Sequence, residues 1–273
     1  MAQAIGIDVG GTGIKAAIVD TTTGELLSDR LTVETPEQAT PEQVVSAAQQ
    51  LVAALLEQPA VLGTFGLEGV AARDAAAGGW NIEMPIGVAL PSVVVDGITL
   101  SAANVSTQWI GHDAAAHFSR AFGVPVAIVN DADAAGWAEA HSGAARGQRG
   151  LTIVTTLGTG IGSALIQDGL LIPNTELGHL EIDGEPDYER VASPVARERD
   201  GISFAEWGAR LSRYYQALER LFSPRLFVIG GGISSAPELF LPHLDVQTPV
   251  HIARYNQNAG IIGAAEFAVV ATG

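Results

Sequence analysis

The sequence predicts an α/β sandwich built on a duplicated plan. Two hairpins with glycine-rich turns recur in the two halves of the chain, strand-like runs alternate with amphipathic helical ones, and the 273 residues are 47% hydrophobic and only 16% charged. Such a composition supports one large domain or two modest ones and excludes a disordered or fibrous protein.

Taken in order, Ala4 to Val9 and Ile14 to Val19 are β-rich runs joined by Gly10, Gly11, Thr12 and Gly13, which predicts a hairpin. Thr40, Pro41 and Gln43 then make a capping-box start with proline at the first helical position. Val44, Ala48, Leu51, Val52, Leu55 and Leu56 form the apolar stripe of that helix. The glycine- and alanine-rich stretch Leu62 to Pro85 reads as an irregular connection before a strand at Ile86 to Leu90. A strand over Pro125 to Val129 precedes a helical run from Ala132 to Ala140. Leu151 to Leu157 and Ile161 to Ile166, around Gly158, Thr159 and Gly160, repeat the first hairpin down to the shared tetrapeptide Gly-Thr-Gly-Ile. Ser203 with Glu206 opens a second capped helix with Trp207, Leu211, Tyr214, Leu218 and Phe222 on one side, and a strand over Arg225 to Ile229 runs into Gly230, Gly231 and Gly232.

Charge and composition narrow the function. Lys plus Arg total 14 against 30 Asp plus Glu, a net charge of −16, and Lys15 is the sole lysine. A field of that sign repels nucleic acid and acidic membranes, so neither is an expected partner. With no cysteine, a disulfide framework, a thiolate zinc site and a cysteine nucleophile are all excluded. The opening MAQAIGIDVG lacks the basic and apolar regions of a signal peptide, and no apolar run is long enough to span a membrane. A soluble, cytoplasmic protein is expected.

The glycines match neither nucleotide fingerprint. Gly158, Gly160 and Gly162 are spaced by two rather than as G-x-G-x-x-G, and Lys15 follows Ile14 where a P-loop needs glycine. What remains is a glycine turn used twice, in which bare backbone N–H groups can approach an anion and Thr12 or Thr159 can add a hydroxyl; a plain tight hairpin is the competing reading. Together with Gly230 to Gly232 these make three phosphate-sized concavities, which suit a phosphoryl donor. Asp8, just before the first turn, either holds Mg²⁺ or stabilises the turn. Lys15 is either a phosphate ligand or a solvated surface cation. Asn130 and Asp131 fall at the carboxyl end of a strand, where open α/β sheets place ligands; Asp131 suits a general base for a hydroxyl, and helix capping competes or coexists with that role. Glu176, His179 and Glu181 cluster in a way that suits hydrogen bonding to a polyol better than it suits zinc.

Asp8-Val-Gly-Gly-Thr-Gly-Ile-Lys15, Asn130-Asp-Ala-Asp-Ala-Ala-Gly136, Leu157-Gly-Thr-Gly-Ile-Gly162, Pro173-Asn-Thr-Glu-Leu-Gly-His-Leu-Glu181 and Gly230-Gly-Gly-Ile-Ser234 stand in the order seen in the ROK sugar kinases. The chain resembles that family over nearly its whole length, and within it the glucokinases and glucomannokinases that use polyphosphate. The resemblance implies an actin-like ATPase fold (ribonuclease H-like, hexokinase-type) with two α/β domains, 1–113 plus 259–273 and 114–258, and an active site in the cleft. It implies Asp131 as general base for the sugar 6-hydroxyl. Asn104, Asn130, Glu176, His179 and Glu189 would bind the hexose. Gly10, Gly11, Thr12, Lys15, Gly158, Thr159, Gly160, Gly230, Gly231 and Gly232 would line the donor, with Asp8 at Mg²⁺. The implied partners are glucose or mannose with ATP or polyphosphate, and a homodimer.

The chain departs from the family in lacking the cysteine-rich zinc loop, so no zinc is expected, and in carrying Ser92, Ser106 and Thr107 where relatives read Gly, Asp and Lys. Seven of the 14 cations lie between Arg190 and Arg225; they read either as a polyphosphate track or as ion-paired helix surfaces. The reading is a glucokinase using polyphosphate, ATP or both. The alternatives are a strictly ATP-dependent kinase for another hexose and an inactive hexose binder.

Overall fold

The computed structural model describes residues 3–58, 61, 82 and 84–272, so the expected connection over 62–85 lies outside the described residues apart from Ile82, Met84 and Pro85. The chain divides into two compact units, Met1–Ala134 with Gly260–Gly273, and Ala135–Ala259.

In the first unit, β1 (Gln3–Val9) and β2 (Gly13–Asp20) form the expected hairpin, extended by β3 (Glu25–Leu26) and β4 (Leu31–Glu34). Helix α1 (Pro41–Leu56) starts at the capping box of Thr40 and Gln43 and buries the expected stripe. Strand β5 (Ile86–Leu90) pairs parallel with β1. A small sheet follows, made of β6 (Val94–Val95), β7 (Ile98–Thr99) and β8 (His112–Asp113). Helix α2 (Ala114–Phe122) is capped by Asp113 and closed by Gly123; it lies outside the elements expected from the sequence, although Phe118 and Phe122 bury its apolar side. Strand β9 (Val126–Asn130) completes the order β3-β2-β1-β5-β9 and leads into α3 (Asp131–His141).

The second unit repeats this path. Strands β10 (Leu151–Leu157), β11 (Ile161–Gln167) and β12 (Leu170–Ile172) form an antiparallel meander. After α4 (Glu189–Ala192), α5 (Pro194–Asp200) and α6 (Phe204–Phe222), strands β13 (Leu226–Gly230) and β14 (Val250–Ile252) add on parallel. The order β12-β11-β10-β13-β14 matches the first sheet strand for strand, antiparallel on one side of the central strand and parallel on the other. This bears out the duplication expected from the two hairpins. Helix α6 begins at the Ser203–Glu206 capping box and packs Trp207, Leu211, Tyr214 and Leu218 against Phe227 and Ile229.

Helix α7 (Ala259–Thr272) is apolar on nearly every side, the composition of a helix buried all round. Its inner face lies so close to the first sheet that a Cβ built on Gly87 would stand 1.9 Å from the carbonyl oxygen of Ala264. The resemblance-based boundary at 113/114 requires correction: β9 is hydrogen-bonded to β5, so the first unit runs on through Ala134. Among the described residues no helix is long and apolar enough to cross a membrane.

The first unit carries a histidine whose titration is coupled to folding. His112 Nε2 and His117 Nδ1 lie within hydrogen-bond distance, 2.9 Å apart. Burial, followed by His112 and then Arg120, pulls the pKa of His117 below the ordinary 6.5 against the opposing pull of Glu42. Between the lowered folded value and 6.5 the unfolded chain binds more protons, so this contribution is present at neutral pH and is lost as the pH falls. The unfolding midpoint therefore drops between pH 7 and pH 5, and His117→Asn flattens that limb when midpoints are measured across the range.

Candidate active site

In the first unit the chemistry-bearing residues gather at the carboxyl ends of the parallel strands β1, β5 and β9, the end at which open α/β sheets place ligands. The Gly10–Gly13 turn is closed by Gly10 N–H donating to Gly13 O at 3.0 Å and is tied from outside by the Thr35 hydroxyl, which donates to Gly10 O at 2.6 Å. Gly11 and Thr12 stay exposed at its tip.

Asp8 stands on β1 directly across the hairpin from Lys15, and Lys15 Nζ donates to Asp8 Oδ2 at 3.1 Å with both side chains largely shielded. The lysine is thus not a solvated surface cation. Asp8 also lies against the first turn of α7, where a Cβ on Gly260 would be 2.8 Å from its carboxyl carbon. A carboxylate is favoured there by the helix dipole.

Asp131 is the first residue of α3. Its Oδ1 accepts from Ala132 N–H at 2.8 Å. Asn130 is buried and caps the same helix: its Oδ1 accepts from Ala132 and Asp133 N–H at 2.9 and 3.0 Å, and its Nδ2 donates to Ser92 O at 3.1 Å. The capping role expected for this pair is therefore real. It fixes where Asp131 emerges.

Ser92 explains one departure from the family pattern. Its hydroxyl donates to Ser101 O at 2.6 Å, and Val93 N–H donates to Ser101 Oγ at 2.8 Å, so the loop leading to Asn104 is laced to the end of β5. Asn104 has the left-handed φ of 60° and sits beside the glycine turn, 2.9 Å from where a Cβ on Gly11 would be. Ser106 caps the short 3-10 turn Thr107–Trp109, which accounts for a second departure. Nothing in the structure assigns Thr107 a role.

The second unit repeats the placement. The Gly158–Gly160 turn closes with Gly158 N–H donating to Gly160 O at 3.1 Å, and the Glu189 carboxylate braces it by accepting Ile161 N–H at 2.9 Å. Beside it, at the end of β13, Gly231 has φ 85°, and a Cβ there would meet Leu157 O at 2.2 Å. Only glycine fits that position, and it brings Gly230 to Gly232 alongside the second turn.

The segment 175–179 is moored by Ser163, whose hydroxyl donates to Thr175 O at 2.5 Å and accepts from Leu177 N–H at 3.0 Å. His179 Nε2 lies 3.9 Å from Glu176 Oε2, and its Nδ1 lies 3.2 Å from Asp187 Oδ1. Asp187 is a residue the sequence reading missed. Ile182 and Glu185 exchange both backbone hydrogen bonds around Asp183-Gly184, and this miniature hairpin folds Asp187 back onto the histidine. The Asp-Gly dipeptide was the available signal. Glu181, expected in the cluster, is exposed and takes no part in it among the described residues.

The arginine question divides. Arg190 pairs with Asp187, Arg197 with Glu198, Arg199 and Arg210 with Asp200, and Arg213 with Asp183. Hydrogen bonds from Arg199 and Arg210 hold the Asp200 carboxyl down at about 2. For these five the ion-paired surface reading is correct.

The ROK family model matches residues 4–72 and 71–197. The chain is 41% identical over 268 residues to the polyphosphate glucokinase of Mycobacterium tuberculosis (strain CDC 1551 / Oshkosh), covering 98% of this chain and 91% of that one. Among solved structures, the inorganic polyphosphate/ATP-glucomannokinase of Arthrobacter sp. strain KM superposes with a TM-score of 0.87 at 47% identity over 99% of this chain and 100% of that one. The ROK family glucokinase of Streptomyces griseus, in complex with glucose and AMPPNP, gives 0.75 at 25% identity over 98% and 100%. The fold is the actin-like, hexokinase-type ATPase fold, and the chain belongs to the ROK family.

Proposed function

We propose that this protein is a glucokinase that transfers a phosphoryl group from inorganic polyphosphate or ATP to the 6-hydroxyl of glucose. The observation that carries the reading is Asp131, held at the start of α3 by Asn130 and Ser92, in a chain 41% identical to a polyphosphate glucokinase. The 6-oxygen forms its bond to the terminal phosphorus as Asp131 takes the hydroxyl proton. The bridging P–O bond breaks, and its electrons leave with ADP or with a polyphosphate one unit shorter. Catalysis is positioning and charge stabilisation.

Asn104, the spare N–H of Asn130, Glu176, His179 and Glu189 hold the sugar hydroxyls. The Gly10–Thr12 turn with Lys15, the Gly158–Gly160 turn and Gly230 to Gly232 receive the donor, backbone N–H groups meeting phosphate oxygens. Mg²⁺ belongs to the same proposal. Among the described residues no group of three or more metal-ligating side chains occurs, whereas Mg²⁺ in kinases rests on one or two carboxylates together with donor phosphates and water. Asp8, which keeps an oxygen beyond the one engaged by Lys15, fits that need. When bound, the ion neutralises donor charge. Mannose as a second acceptor, a homodimer and a cytoplasmic, glycolytic setting complete the proposal, supported by the family resemblance.

Initial rates of glucose 6-phosphate formation, with Mg²⁺ and either ATP or long-chain polyphosphate as sole donor, test the reading. Turnover with polyphosphate is expected, turnover with ATP alone would remove polyphosphate from it, and turnover with neither rejects it. Asp187 is a positioning residue in this scheme: by holding Nδ1–H of His179 it presents Nε2 as an acceptor to the sugar. Asp187→Ala raises KM for glucose about tenfold, the worth of one such hydrogen bond, with a much smaller change in kcat. Asp187→Asn, which keeps the acceptor oxygen, restores most of the loss.

A further inference from the structure

The two arginines of the 190–225 segment that make no ion pair among the described residues, Arg220 and Arg225, line one open groove of about 740 Å³. It is formed by the last turns of α6, the link into β13 and the approach to β14. Arg225 immediately precedes β13, so the groove opens at the amino ends of the parallel strands, whereas Gly158–Gly160 and Gly230 to Gly232 lie at their carboxyl ends. The position of Arg225 is set by packing: its Cγ would be 2.8 Å from a Cβ on Gly150, and its backbone N–H donates to Leu151 O at 2.7 Å. Among the described residues lining the groove the one carboxylate, Glu219, is turned to structural use, its Oε1 accepting from Gln247 and Thr248 N–H at 2.8 and 2.6 Å. In a chain of net charge −16, two guanidinium groups that have no acidic partner among the described residues, in a groove with hydroxyl and amide side chains at Ser223, Thr248 and Gln216, are a local reversal of sign.

We infer that this groove anchors the distal phosphates of a polyphosphate chain, with Arg220 and Arg225 as the ligands. Guanidinium forks match phosphate oxygens in bidentate fashion, and a polyanion held at a second point raises the effective concentration of its reacting end without adding a contact there. ATP is too short to profit. The inference rests on the proposed use of polyphosphate as donor.

The test is the double variant Arg220→Gln, Arg225→Gln, first shown to unfold at the same midpoint as the parent because both side chains are exposed. KM for long-chain polyphosphate is expected to rise about tenfold, with KM for ATP and for tripolyphosphate within twofold of the parent. Binding of long-chain polyphosphate, titrated over a range of salt concentrations, is expected to show a shallower salt dependence in the variant, since fewer counterions are released. An unchanged KM for long-chain polyphosphate overturns the inference, as does an equal rise for ATP. If the parent itself fails to turn over polyphosphate, the donor reading falls, and the titration alone then decides the groove: equal binding by parent and variant overturns it.

Discussion

Asp131→Asn lowers kcat about a thousandfold, within the range that a positioned general base supplies, while glucose binding and the unfolding midpoint stay close to those of the parent. The separation follows from what each atom of this side chain does. The amide oxygen of the variant still accepts Ala132 N–H, and Asn130 still caps α3, so the local fold survives. What is lost is the ability to take a proton, plus a dipole interaction at the helix start of about 0.3–1 kcal/mol. Steady-state rates with saturating glucose, together with glucose binding by calorimetry, check the pair of expectations. Activity within tenfold of the parent would remove Asp131 from the reaction.

Gly87→Ala is expected to cost about 3 kcal/mol and to lower the unfolding midpoint by roughly 6–12 °C. On β5 a Cβ at this position would overlap the Ala264 carbonyl at 1.9 Å and its carbon at 2.5 Å, and neither partner is the end of a flexible side chain. The strand is paired along both edges, with β1 and β9, and residues 261–266 of α7 are all buried, so relief requires moving a whole element. Thermal unfolding of the variant measures this directly. A midpoint within 2 °C of the parent would mean that α7 can slide away from the sheet at little cost.

Much of this architecture was legible from local chemistry. The two capping boxes at Thr40 and Ser203, the repeated Gly-Thr-Gly-Ile turn and the apolar runs at 86–90 and 151–157 state their own structure because hydrogen bonds and side-chain periodicity within a few residues decide them. Helix α2 was not legible: its run Ala114 to Phe122 is short, and its apolar side shows only once Phe118 and Phe122 have α1 and the sheet to pack on. The placement of the first boundary failed for a related reason, since the pairing of β9 with β5 joins residues far apart in sequence.

Within the candidate site the same division holds. Asp8, Asn130, Asp131, Glu176 and His179 were singled out by residue type and by position within motifs, and Asn104 and Glu189 by the family resemblance. Their supports were not: Ser92 beneath Asn130, Asp187 behind His179, and Ser163 under the 175–177 segment act through contacts made only after the chain has folded back. Lys15 is the clearest case, because a lone lysine is ambiguous until the hairpin register sets it opposite Asp8.

The sequence by itself determined the duplicated α/β plan, the glycine turns, the absence of thiol chemistry and the acidic surface, since each depends on composition or on neighbours along the chain. Only the tertiary structure decided which arginines are neutralised and which two share a groove, which carboxylates cap helices and which brace a loop, and where the first unit ends. Those outcomes depend on distances between residues remote in sequence, and an ion pair or a buried hydrogen bond has no energy until packing brings its two halves within reach.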